Sequence, residues 1–178
     1  MKTTICNLSI TFIWAFLTAT AIAQPIESAK KVFGPWDGEW QGVFRIFNTE
    51  GRLLDSLHVQ QKYNWDGEIQ RGIITDKLSN GKVEVSHAEN FFRNDTLFCV
   101  VKKPGGETTV HTGKYTNGRL TWSRNDPKTG MQESFKEYVE HTPTGTIYFI
   151  DGVGVYGFGK DRNVLLFEGR YRKISSAR

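Results

Sequence analysis

The chain has almost no cysteine, two residues in 178, and little proline, five residues. Beyond the first twenty residues it has no long hydrophobic run. Each scarcity excludes something. Cys6 and Cys99 are the only thiols. If the N-terminal segment is removed, Cys99 stands alone and no intramolecular disulfide can staple the fold, so burial must hold it together. No downstream stretch approaches the roughly 20 apolar residues of a spanning helix, which predicts no stable membrane insertion. Helical patterning is scarce as well. Between the turns no segment combines a 3.6-residue apolar period with caps, and only residues 25–34 read as a short helical turn, from Ser28-Ala29-Lys30-Lys31 ahead of Gly34-Pro35.

The N-terminus reads as an export signal. Lys2 gives a small positive region, Leu8 to Leu17 an apolar core too short to span a bilayer, and Ala21-Ile22-Ala23 a small-residue cleavage site before Gln24. The expected organisation is a signal peptide over 1–23, an N-terminal segment over 24–35 and one domain over 36–178. The expected location is secreted or periplasmic. About 155 residues then remain, enough for one core of useful size and too few for two ordinary domains. The formal net charge of +4 falls to +3, because residues 1–23 carry Lys2 and no acid. Basic residues are dispersed among acids rather than gathered in a phosphate-binding stripe, which argues against a nucleic-acid partner. Asn94-Asp95-Thr96 fits a glycosylation sequon, relevant only in a eukaryotic secretory context.

What the chain has in quantity is turns. Asp37-Gly38, Glu50-Gly51, Asp66-Gly67, Asn80-Gly81, Asn94-Asp95, Gly105-Gly106, Asn117-Gly118, Thr129-Gly130, Thr144-Gly145 and Lys160-Asp161 punctuate segments rich in β-branched and aromatic residues. Tight hairpins need the positive φ that such pairs accept. Ten strands are predicted, over 40–48, 52–65, 68–78, 82–93, 96–103, 107–116, 119–125, 131–141, 146–157 and 164–174. Short links make neighbours in sequence neighbours in space, and a sheet of ten twisted strands closes to hide its edges. The predicted fold is therefore all-β, an antiparallel up-and-down meander closed into a roughly ten-stranded barrel with room for one small ligand.

Alternation assigns faces. Leu53, Leu57, Val59, Tyr63 and Trp65 share one, as do Val83, Val85, His87 and Phe91, then Leu97, Cys99 and Val101, then Leu120 and Trp122. Phe135, Val139, Ile147, Phe149, Leu165, Phe167 and Tyr171 continue the inward set, with Asp55, Gln61, Arg71, His87, Glu89, Arg124 and Glu133 on the same faces. On this reading Arg71 and Arg124 anchor the anionic group of an apolar or amphipathic small molecule, and Tyr63, Phe91, Trp122 and Phe149 form the wall, since an inward guanidinium grips a carboxylate bidentately. His87 and Glu89, two apart on a strand, suit acid–base work, with His111 able to join from a neighbouring hairpin. An ordinary solvated histidine is the simpler reading, and no His-x-His or Cys-x-x-Cys supports a metal.

No cofactor is expected. Cys99, between Phe98 and Val100, reads as a small core residue, since no Cys-His-Asn or Gly-x-Ser-x-Gly signature accompanies it. The glycine-dense Gly152-Val153-Gly154-Val155-Tyr156-Gly157-Phe158-Gly159 contains no Gly-x-Gly-x-x-Gly and precedes no helix, so it reads as close packing under aromatics. Trp36, Trp65, Phe92, Tyr115 and Tyr138 would form a sugar- or protein-binding face if they gather outside. A protein-binding barrel with a solid interior, such as an inhibitor or envelope assembly factor, is thus the alternative.

The domain opens Gly34-Pro35-Trp36-Asp37-Gly38-Glu39-Trp40 and closes Glu168-Gly169-Arg170-Tyr171-Arg172-Lys173. This pairing resembles the calycin superfamily of lipocalin and fatty-acid-binding barrels, in which a Gly-x-Trp opens the first strand and a basic residue of the last strand lies across that tryptophan. The resemblance implies a ligand-holding barrel in which Gly38, Trp40 and Arg170 or Arg172 fill those structural positions. The lipocalin middle-loop motif and cysteine pairs are absent, and ten strands match a fatty-acid-binding-like or nitrobindin-like count. No histidine falls in a haem-ligand context.

Overall fold

A computed structural model describes residues 29–175; the expected signal peptide over 1–23 lies outside them. The chain forms ten antiparallel strands: β1 Gly38–Asn48, β2 Leu53–Asp66, β3 Ile69–Lys77, β4 Val83–Arg93, β5 Thr96–Lys102, β6 Thr108–Thr116, β7 Arg119–Asp126, β8 Met131–Thr142, β9 Gly145–Tyr156 and β10 Asn163–Ser175. Every strand lies within two residues of its predicted bounds, because hairpin chemistry is local. Asn94 and Asp95, with φ of 47° and 61°, and Asn117 and Gly118, with 52° and 76°, adopt the paired positive φ of two-residue hairpins.

Each strand pairs with the next, and β1 also pairs with β10, so the sheet is a closed barrel with no free edge. The seam runs in register from Trp40 opposite Lys173 to Asn48 opposite Leu165, with a bulge between Glu39 and Trp40. Ahead of β1, Ala29–Phe33 forms one helical turn, α1, and Gly34–Trp36 a 3-10 turn. These turns plug one end of the barrel. Val32, Phe33 and Trp36 are buried, Phe33 stacks on Trp122 at 6.1 Å, and Gln70 donates to the Phe33 carbonyl at 2.9 Å. Asp37 ties the plug down by accepting from Gln70 at 2.6 Å and from the Trp65 indole, also at 2.6 Å.

At the Gly-x-Trp opening the cation over the tryptophan differs from those the resemblance implied. Trp40 is fully buried, donates its indole N–H to the Trp36 carbonyl at 2.7 Å, and packs edge-on against Tyr148 at 5.6 Å. The cation over its ring is Lys173, at 5.2 Å, neither Arg170 nor Arg172. Strand parity decides this: Lys173 shares the inward face with Tyr171, whereas Arg170 and Arg172 point outward. Arg170 lies over Phe149 at 5.0 Å and pairs with Asp151 at 2.7 Å, and Arg172 donates to the Thr144 carbonyl at 3.2 Å. Gly38 sits at the β1 entry with φ of 101°, a conformation suited to glycine.

Large aromatics inside the barrel lie flat on the wall because a glycine faces them across the ladder. Tyr63 pairs with Gly72, Trp122 with Gly113 and Phe135 with Gly152. A Cβ at these glycines would come within 2.6, 2.4 and 2.4 Å of the respective rings. The rings therefore cover backbone instead of filling the centre, which agrees with the close-packing reading of the glycine-dense β9.

Candidate functional site

The space this leaves is a cavity of about 260 Å³ on the barrel axis. Phe44, Leu57, Val101 and Phe135 line the half away from the plug, and Tyr63, Trp122, Tyr148 and Tyr171 the half against it. Polar groups interrupt this wall at few points: Gln61, Asp76, Asn90, His111 and Glu137, with the Cys99 thiol. The lining contains neither lysine nor arginine.

Glu137 sits between Phe135 and Val139 on the inward face of β8, level with Leu120 and Ile150. The surface it retains faces the cavity. Burial pushes its carboxyl above the usual carboxylate range, while hydrogen bonds with Tyr148 and Trp122 and the nearby His111 pull in the other direction. Asp76, near the other end of the cavity, is likewise raised by burial and by Glu84, against a smaller opposing effect of Lys103. Desolvation also raises the Tyr63 and Tyr148 phenols and the Cys99 thiol, so all three are held neutral. A buried neutral thiol is a poor nucleophile, which agrees with Cys99 as a core residue.

A carboxyl with a raised folded pKa favours the native state only while protonated. Below its ordinary pKa near 4.5, Glu137 is protonated in both states and neutral to stability. As pH rises through that value toward the folded one, the buried group increasingly weakens the fold. Glu137→Gln keeps the shape without the ionisation. It is expected to raise the thermal midpoint at pH about 7 by a few degrees, at about 2–4 °C per kcal/mol, with the gain vanishing near pH 4. Melting curves at the two pH values check this, and an equal gain at both would refute it.

At the rim of the cavity, toward the unplugged end, stands a second polar group that shares His111 with the lining. Glu133 accepts from the Tyr156 hydroxyl at 2.8 Å and lies 3.2 Å from His111 Nε2 and 3.6 Å from Arg124 Nη1. With Glu133 ionised, His111 Nε2 carries the proton and donates. Burial works against that ionisation, but the His111 and Tyr156 hydrogen bonds and the Arg124 charge hold the carboxyl below the usual range.

Among the sequence-predicted wall and anchor residues, Tyr63 and Trp122 line the cavity, and Arg124 faces inward at its rim. Arg71, Phe91 and Phe149 do not. Arg71 is exposed on the outer face of β3, where it pairs with Asp66 at 2.7 Å and with Glu89. Phe91 stacks on Phe98 outside the barrel, and Phe149 stacks on Tyr138 there at 4.8 Å. The same parity turns out Val83, Val85 and Ile147. His87 is exposed on the outer face, and Glu89 is committed to Arg71 and, at 3.8 Å, Lys102. His111 points to the opposite side of the sheet, so the proposed acid–base group is not assembled. Of the five candidate surface aromatics, Trp36 is core, Trp65, Phe92 and Tyr115 pack against it, and Tyr138 lies outside. Among the described residues no three His, Cys, Asp or Glu side chains converge as metal ligands.

Sequence reasoning missed Glu137, Asp76 and Tyr148. The first was findable, because Phe135 and Val139 had been placed inward and Glu137 shares their parity.

No family model matches the chain, and no curated protein matches it in sequence. Among solved structures it is similar to the S-type phycobiliprotein lyase CpeS from Guillardia theta, with a TM-score of 0.61. That match covers 85% of this chain and 95% of the other at 8% identity. The likeness is one of fold. In this chain that fold is a closed barrel of ten antiparallel strands.

Proposed function

We propose that this protein is an exported barrel that holds one small, largely apolar molecule in its interior. The observation that carries the reading is the 260 Å³ cavity itself, with an aromatic and aliphatic wall and few convergent polar groups. A purely structural core would close such a space, because interiors ordinarily pack to crystal-like density. Here three cross-strand glycines hold aromatic rings against the wall and the centre stays open. The comparison supports the barrel shape; the ligand class has to come from this chain's own residues.

The polar end of the molecule meets Gln61, Asp76, His111 or Glu137. Arg124 contributes at the rim, but Glu133 offsets its charge, so it is not the unpaired anion anchor that a fatty-acid site needs. Export rests on the N-terminal pattern alone.

Val101 lines the cavity. Val101→Trp is expected to fill the space and abolish uptake while leaving the β circular-dichroism spectrum unchanged. The test is native against denaturing mass spectrometry, with an absorption spectrum, on protein purified from its own host. A mass excess that denaturation removes and the Trp variant lacks supports the reading. A bare mass with no uptake from a lipid and metabolite panel overturns it and turns attention to protein partners on the outer face.

A further inference from the structure

We propose that the molecule held in the cavity carries a protonated amine and that Glu137 is its counter-ion, with the aromatic wall enclosing the rest. This rests on the binding-barrel reading above and names the ligand class for it.

The argument is one of complementarity. The groups able to bear charge on the cavity lining are two carboxyls, Asp76 and Glu137, and one imidazole, His111; no lysine or arginine is among them. The nearest guanidinium on the inward face, Arg124, is spent on Glu133, and so is His111 Nε2. An anionic ligand would face two carboxyls and no free cation to meet it. A buried ion without a partner costs several kcal/mol, so such a ligand is rejected.

A cation finds the reverse. Glu137 stands on the cavity lining beside Trp122 and Tyr148, where its carboxyl can accept from a donor inside the cavity. A ligand N–H supplies that donor together with the opposite charge, and charge-assisted bonds of this kind are about twice as strong as neutral ones. The rings add to this. Trp122, Tyr63, Tyr148 and Tyr171 line the cavity with Glu137, and a desolvated ammonium is attracted to the face of an aromatic ring. A neutral alcohol would gain the hydrogen bond alone.

Shape-matched probes that differ only in the polar group test the idea: tryptamine, tryptophol and indole-3-propionate, then decylamine, decanol and decanoate. Isothermal titration at neutral pH is expected to rank amine over alcohol by tenfold or more in both series, with the carboxylate weakest. Glu137→Gln is expected to reduce the amine preference to threefold or less, the amine losing more affinity than the alcohol. Alcohol or carboxylate binding as tightly as amine, or an amine preference that survives in Glu137→Gln, overturns the assignment of a cation but leaves a binding barrel in place. Absence of binding by all six probes, or binding undiminished in Val101→Trp, overturns the cavity reading and the amine with it.

Discussion

Trp40→Ala is expected to lower the free energy of unfolding by about 3–5 kcal/mol, as large aromatic truncations in cores do. Three features of the residue place it at the upper end. It is fully buried, so no solvent compensates for the void. Its indole N–H satisfies the Trp36 carbonyl, and truncation leaves that acceptor unpaired beneath the plug. It also stands at the first rung of the seam between β1 and β10, over which Lys173 lays its ammonium. Removing the ring therefore weakens both the closure of the sheet and the turn from Gly34 to Trp36. Trp40→Phe restores most of the buried area without the donor and is expected to recover more than half of the loss. Urea unfolding followed by circular dichroism gives the numbers. A cost under about 1 kcal/mol would show that the seam holds without the plug.

The strands were legible because their ends are written in local chemistry. Asn-Gly, Asp-Gly and Gly-Gly pairs mark hairpins whatever the rest of the chain does, and ten hairpin-linked strands leave closure as the economical arrangement. The faces were only partly legible. Where a strand alternates, as from Val59 through Gln61 to Tyr63, parity was read correctly. On β4 the larger apolar side chains, Val83, Val85 and Phe91, point outward, while Ser86, Ala88 and Asn90 point in, so hydrophobicity named the wrong face. There the barrel needs small groups under Tyr63 and a polar link from Asn90 to Gln70 that steadies the plug, a demand set by distant parts of the chain.

β9 misled differently. Ile147-Tyr148-Phe149-Ile150 is apolar on both faces, since Phe149 covers the outer wall between Tyr138 and Arg170 while Tyr148 lines the cavity. Period-two reasoning has nothing to grip in such a run. The site suffered most from these inversions. A single-residue slip took Arg71 out of the interior, and Glu137 was passed over although the face of its strand was read correctly, so the expected anion pocket became a cavity whose carboxyls lack a free cationic partner.

Gly42→Ala is expected to damage the fold on a scale comparable with the loss of Trp40, for the opposite reason. Gly42 lies in β1 opposite Tyr171 of β10, and a Cβ built there would fall 1.9 Å from the Arg170 carbonyl oxygen and 2.7 Å from the Tyr171 Cα. Both are backbone atoms of the neighbouring strand. At Gly113 the obstacle is the Trp122 ring, which can swing into the cavity; at Gly42 no rotamer change relieves the contact, and the two strands must part. Parting them undoes the one pairing that joins the first strand to the last, and it exposes two long edges that invite association. The expected loss is about 3 kcal/mol or more, the upper range for overpacking. Any folded fraction should show concentration-dependent oligomers in size-exclusion chromatography. Gly34→Ala, where a Cβ would meet nothing within 4 Å, is the matched control and should change stability by less than about 0.5 kcal/mol. If Gly42→Ala melted with the wild type, β1 and β10 would have to be farther apart than the register allows, and the barrel would be an open sheet.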